Sequence, residues 1–280
     1  MKKFLVALAV VLLGTCGIAY GEVIDTFDSY AVGSYVNGQG GWTDTGGAAN
    51  YQVVAGGVAG TSGVNTGSGS QQLNWTGHPF QWTTLAVGDK VVVRMDFQAN
   101  GSATFNDDRT GWVMSESPSS SSSHFGTQLD DSDDGGNKIV TYWRNSSGTR
   151  VQIGIASFAG QIVASDWYRS EFIATKLGAT AARIDVSLVH LDAAGNPTGT
   201  PITGFVADTS LLPSAQLPDN KYFTGTTSDT MYPMFKNYSS AVGNIDNAYF
   251  NIVPVPEPSM IALAASGLVG LALVALRRRK

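Results

Sequence analysis

Along residues 91–98, Val91, Val93, Met95 and Phe97 alternate with Val92, Arg94, Asp96 and Gln98. A period of two places the first set on one face of a pleated strand and Arg94 and Asp96 on the other, so one face of this strand belongs to a core. Shorter runs of the same kind recur at 23–27, 51–54, 71–75, 111–115, 125–129, 138–143, 151–155, 167–174, 183–191, 231–235 and 244–252. Turn chemistry separates them: Asp133-Asp134-Gly135-Gly136-Asn137 before 138–143, Asn145-Ser146-Ser147-Gly148 after it, and Asp192-Ala193-Ala194-Gly195-Asn196-Pro197 after 183–191. Between 22 and 253 no stretch has helical periodicity, and no period marks a solenoid or propeller. The pattern predicts an all-β fold, an antiparallel β-sandwich or jelly roll formed by one domain over 22–253.

The two ends depart from this pattern. Residues 1–21 open with Lys2 and Lys3, continue with an apolar stretch from Phe4 to Leu13, and end in Ala19, Tyr20 and Gly21. This is the layout of a secretory signal peptide, expected to be helical, with cleavage between Gly21 and Glu22 or, alternatively, after Ala19. At the other end, Pro256-Glu257-Pro258 precedes an apolar run over 260–276, followed by Arg277, Arg278, Arg279 and Lys280. Seventeen residues fall at the short end of what a helix needs to cross a bilayer, so a single C-terminal transmembrane helix is expected, either a lasting anchor or a removable sorting device, with the terminal cations on the cytoplasmic side.

Setting both ends aside changes the charge. Of 17 Lys and Arg, six lie in the ends, and of 22 Asp and Glu only Glu257 does, which leaves the domain with 11 against 21 and a balance near −10. An acidic surface repels phosphate backbones, so nucleic acid is not an expected partner; divalent cations and neutral or cationic polymers are. The single cysteine, Cys16, lies in the N-terminal segment, so the domain has no disulfide and no thiol chemistry.

The C-terminal arrangement of Pro256-Glu257-Pro258, apolar helix and Arg277-Arg278-Arg279 resembles the PEP-CTERM sorting signal of exopolysaccharide-producing Gram-negative bacteria. The resemblance covers 254–280. It implies a transient stay in the inner membrane, recognition of the Pro-Glu-Pro site by an exosortase-type enzyme, and delivery to the cell surface or extracellular matrix. Further patterns resemble concanavalin A-like or laminin G-like sandwiches: Asp25-Thr26-Phe27-Asp28-Ser29-Tyr30 with Gly41-Trp42, Gly69-Ser70-Gln71-Gln72-Leu73, Asp166-Trp167-Tyr168-Arg169, and Ile245-Asp246-Asn247. That fold hosts lectins, hydrolases and passive adhesion modules alike.

Candidate chemistry is sparse. Glycoside hydrolysis needs two carboxyls flanking the scissile bond. The domain's glutamates are Glu22, Glu116 and Glu171, and none sits in a Glu-x-Asp-x-x-Glu strand. There is no Gly-x-Ser-x-Gly elbow, and His78, His124 and His190 read as turn or surface residues without zinc-site spacing. Asp130, Ser132 and Asp134, followed by Gly135, place oxygen ligands at alternate positions as a weak calcium loop would. Thr141 stands where a closing Glu belongs, and an acidic hairpin turn is the other reading; apart from this calcium no cofactor is expected. Trp75 and Trp82 flank a turn-prone segment, either as core residues or as rings for a carbohydrate contact, whereas Trp42, Trp112, Trp143 and Trp167 read as core or sheet-face residues. The expectation is a secreted, non-catalytic surface module that touches exopolysaccharide. The alternatives are a glycan-active hydrolase or lyase working through aspartates, and a structural surface protein without a ligand.

Overall fold

The computed structural model describes residues 22–45, 50–66, 71–99, 111–115, 123–129, 138–144, 150–157, 161–178, 181–208, 230–237 and 242–255. The signal segment 1–21, the acidic loop with Asp130, Ser132 and Asp134, and the sorting residues Pro256, Glu257, Pro258 and Arg277–Arg279 lie outside the described residues. So do the expected terminal helices. Among the described residues no helix is long and apolar enough to cross a membrane.

The strands are β1 (Val23–Asp25), β2 (Trp42–Asp44), β3 (Gln52–Ala55), β4 (Ser62–Asn65), β5 (Gln71–Trp75), β6 (Phe80–Gln81), β7 (Lys90–Ala99) and β8 (Gly111–Ser115). Then come β9 (Ser123–Leu129), β10 (Lys138–Arg144), β11 (Arg150–Ser157), β12 (Trp167–Lys176), β13 (Ala182–Leu191), β14 (Pro197–Asp208), β15 (Thr230–Asn237) and β16 (Val242–Val253). They form two eight-stranded sheets, one in the order β14-β13-β12-β7-β16-β4-β3 with β1 on β16, the other β11-β10-β9-β8-β15-β5-β2 with β6 on β15. All described pairings are antiparallel, and the expected all-β sandwich is the observed architecture.

Alternation explains the layering. Along β12 the burial switches at every residue, so Tyr168, Phe172 and Ala174 enter the core while Arg169, Glu171 and Ile173 face the other way. β7 sends in Val91, Val93, Met95 and Phe97, and β13 adds Ile184, Val186 and Leu188, all in one buried cluster with Trp42, Trp75, Trp82 and Trp112. Lys176 ends β12 at a buried position, where its ammonium donates to the carbonyls of Trp82 (2.9 Å), Thr83 (3.3 Å) and Leu85 (2.6 Å). Those carbonyls belong to the 3-10 turn Trp82–Thr84 and the residue after it, so one buried cation ties the turn to the end of β12 while the turn's carbonyls satisfy its donors. Burial pulls the Lys176 pKa down.

Around Met234 of β15 the second sheet is buried on its far face: Met234 lies opposite both Asn74 and Val113, and all three are buried, Val113 and Met234 as a small cluster apart from the main core. The first sheet is different, because its far face carries a half-exposed polar row.

Candidate functional site

The row begins with the outward residues of β7. Antiparallel register sets Glu171 of β12 beside Arg94 on one side and Tyr249 of β16 on the other. The Arg94 guanidinium donates to Glu171 Oε2 through Nε (3.0 Å) and Nη2 (2.6 Å). It also lies 4.4 Å from the centre of the Tyr249 ring, a cation-π distance. The Asn251 amide donates to the Tyr249 hydroxyl at 3.2 Å. Arg94 and Glu171 keep 30% and 24% of their side chains in solvent. A ring, an amide, a guanidinium and a carboxylate thus share one half-exposed strip, and the two charges cancel.

One step along the strands is a buried layer of opposite character. Asp96 lies across from Arg169 on one side and Asp246 on the other, and both aspartates are fully buried. Asp96 accepts both prongs of the Arg169 fork, at 2.7 and 2.8 Å, and the Asn247 amide at 2.9 Å. Asp246 accepts the backbone amides of Asn247 (2.7 Å) and Val58 (2.9 Å) and the Thr61 hydroxyl (2.8 Å). Through the last two bonds it straps the loop 56–61 across the sheet. The strap passes so close that a Cβ on Gly57 would collide with Asp246 Oδ2 and the Ser62 carbonyl. Burial raises Asp246 to a pKa of about 6, against the pull of its three donors.

Two carboxylates side by side resemble an acid-base pair by residue type. Their partners give them a structural role, since all four oxygens are engaged within the protein by Arg169, Asn247, Val58 and Thr61. The sequence patterns Asp166-Trp167-Tyr168-Arg169 and Ile245-Asp246-Asn247 therefore meet at one polar staple.

The early pattern forms a second staple. Asp25 accepts the Phe27 amide (2.9 Å), the Tyr30 hydroxyl (2.5 Å) and the Trp42 indole (2.8 Å). Burial, then the Asp25 contact, raises the Tyr30 pKa. Trp42 stacks on Trp75 at 4.4 Å and 8°, and Trp75 donates to the Gly40 carbonyl at 3.0 Å. His78 meets the Trp75 ring edge-on at 4.7 Å, and burial lowers its pKa. Beside it a shallow groove of about 320 Å³ is lined by Glu22, Val23, Gly77, His78, Pro79, Phe250 and Ile252.

This corrects the carbohydrate contact expected of two tryptophans. Trp75 is 1% exposed and Trp82 0%, because the turn between them folds both rings into the core, and neither offers a face to a sugar. Trp42 and Trp112 are core as expected, Trp167 is half-buried, and the Trp143 side chain lies outside the described residues. His190 sits between Asp166 (3.0 Å) and Thr198 (2.8 Å), and the His124 side chain is likewise outside them. Among the described residues no three His, Cys, Asp or Glu side chains are grouped to hold a metal. The residue that sequence reasoning missed is Tyr249: its hint was only an outward strand position, and its partner Arg94 becomes visible through register alone.

Comparison with known proteins settles what the C-terminal segment is. Residues 254–280 match the PEP-CTERM protein-sorting motif. The chain is an exported, surface-sorted protein whose C-terminal signal is held in the membrane before processing. No curated protein matches the chain by sequence. Among solved structures, the T. cruzi calreticulin globular domain superposes with a TM-score of 0.50 at 9% identity, covering 94% of this chain and 100% of that one. The PL-14 alginate lyase from Aplysia kurodai gives 0.49 at 9% identity, over 85% of this chain and 100% of its own. Arcelin-5, a lectin-like defense protein from Phaseolus vulgaris, gives 0.48 at 5% identity, over 85% and 100%. At 9% identity the calreticulin likeness shows a shared fold and no more.

Proposed function

We propose that this protein is a non-catalytic module of the cell envelope or extracellular matrix, processed by an exosortase-type enzyme and touching a neutral exopolysaccharide through the strip Tyr249, Arg94, Glu171 and Asn251. The observation that carries the reading is the contrast between two adjacent rows. The carboxylates that would do acid-base work, Asp96 and Asp246, are spent on structural bonds, while the half-exposed row combines an aromatic ring with groups that bond sugar hydroxyls. The Arg94–Glu171 pair leaves that row without net charge, which suits a neutral polymer on a domain near −10.

The test is retention of the mature secreted protein on the producer's own exopolysaccharide, followed by affinity electrophoresis. Retention that falls when Tyr249→Ala or Arg94→Ala is introduced supports the reading. No retention favours a structural protein without a ligand. Release of new sugar ends during incubation would move the protein to the glycan-active class and overturn the reading.

A further inference from the structure

Both ends of the domain leave from one pole of the sandwich. β1 pairs with β16 so that Val23 faces Phe250, and Val253 ends β16 opposite Lys90, the first residue of β7. The turn 86–89 before β7 is tied to the end of β12, since the Gly88 amide donates to the Lys176 carbonyl (2.7 Å) and the Lys176 amide to the Asp89 carbonyl (2.9 Å). Asp89 also holds the exit of the chain. Its Oδ1 accepts the Val255 amide at 3.0 Å, and its Oδ2 accepts the Ala86 amide at 2.8 Å. Gly88, at φ 97°, lies so near that an added Cβ would stand 3.1 Å from Val255 Cγ2.

Around this clamp stands an apolar collar: Val87 is 66% exposed, Val255 45%, Val253 38% and Leu177 37%. They are four of the eight large apolar side chains exposed among the described residues, and exposed Lys90 stands beside them. Four exposed apolar side chains gathered around one clamp are the kind of surface that marks an interaction site. The length of the chain beyond it says which. Only four residues separate Val255 from the apolar run that starts at Met260. Even fully extended, the five steps to Met260 reach about 18 Å, and the headgroup layer takes up roughly 5–8 Å of that.

We propose that in the unprocessed precursor this pole rests on the lipid surface, with Val87, Leu177, Val253 and Val255 entering the headgroup boundary, Lys90 meeting anionic headgroups, and Asp89 keeping the tether short. The inference rests on the sorting segment and not on the polysaccharide reading.

The experiment uses the full chain with Cys16→Ser, reconstituted in vesicles of phosphatidylethanolamine and phosphatidylglycerol. An environment-sensitive fluorophore is attached at Val87→Cys or, as control, at Val163→Cys. Val163 is exposed beside the far end of β7, where Ala99 pairs with Asp166 and Ser165. Ten strand residues put the control about 33 Å from the pole. Lipid-borne spin labels are expected to quench position 87 several-fold more than 163, and Leu177→Asp is expected to at least halve the quenching at 87. Equal quenching at 87 and 163 with a protease-protected tail overturns the proposal alone. Failure of the tail to insert overturns both the proposal and the membrane placement beneath it. Quenching that requires a co-reconstituted sorting enzyme assigns the pole to that enzyme and overturns the lipid assignment, as does indifference to Leu177→Asp.

Discussion

Arg169 holds Asp96 in a two-pronged ion pair at 2.7 and 2.8 Å, with Asp96 fully buried and Arg169 22% exposed. The pair joins β12 to β7 on the side of the sheet away from the core. Removing the cation leaves a buried carboxylate with Asn247 as its one donor. Losing one member of a buried pair costs about 3–5 kcal/mol. Partial exposure of Arg169 puts Arg169→Ala at the low end, about 3 kcal/mol, measured as a shift of the urea midpoint at constant slope. Asp96→Leu with Arg169→Met is expected to recover most of that loss, because the stranded charge goes with its partner.

Asp246 makes stability depend on pH in a direction opposite to most carboxylates. Its pKa is raised from 3.8 to about 6, so the folded protein binds the proton more tightly than the unfolded chain does. The stabilisation is fully present below about pH 4 and is lost as pH rises through about 6. Asp246→Asn removes the titrating group. Denaturation of both proteins between about pH 4 and 7 is expected to show the variant gaining on the native protein by on the order of 3 kcal/mol as pH rises. Parallel curves would mean that Asp246 stays ionised throughout.

Much of this was legible in the chain. The alternation over 91–98 marked β7, with Val91, Val93, Met95 and Phe97 against Arg94 and Asp96; over 167–174 Trp167 and Ile173 blur the pattern, and the regular switch in burial along β12 is seen only in the structure. β14 was not legible: Pro197, Gly199, Pro201 and Gly204 read as breakers. They are tolerated because β14 ends the order of its sheet, and an edge strand has backbone groups to spare. The site was harder still. Arg94 meets Tyr249 only after β16 shifts register between Val242 and Ile245 and again between Asp246 and Tyr249, with Asn247 at φ 49°. Short-range patterning carries no information about such shifts. Trp75 and Trp82 show the converse: a segment rich in turn residues was legible, but the direction in which its rings point is set by packing.

The stacked pair Trp42 and Trp75 belongs to stability, not to recognition. Their rings lie 4.4 Å apart at 8°, and both are 1% exposed. Trp75→Ala deletes a large core side chain and is expected to cost about 3–5 kcal/mol. Trp75→Phe keeps a ring against Trp42 and is expected to lose less, since most of the apolar volume remains. Thermal unfolding separates the two, and retention of Trp75→Phe on exopolysaccharide is expected to equal that of the native protein.

Tyr249 is expected to behave in the reverse way. It is half-buried on the far face of the first sheet and contributes no ring to the core cluster. Its fixed contacts are the Arg94 guanidinium at 4.4 Å and the Asn251 amide at 3.2 Å. A cation-π contact at a partly exposed site is worth about 0.5–1 kcal/mol. Tyr249→Ala is therefore expected to lower stability by about 1 kcal/mol and polysaccharide retention several-fold, and Tyr249→Phe is expected to keep most of the retention. Arg94→Ala exposes the ring but leaves Glu171 without its partner, adding a negative charge to an acidic face. On a neutral polymer it should weaken retention through lost hydrogen bonds with little dependence on salt. A retention that salt restores would point to charge repulsion, and so to an acidic polymer in place of a neutral one.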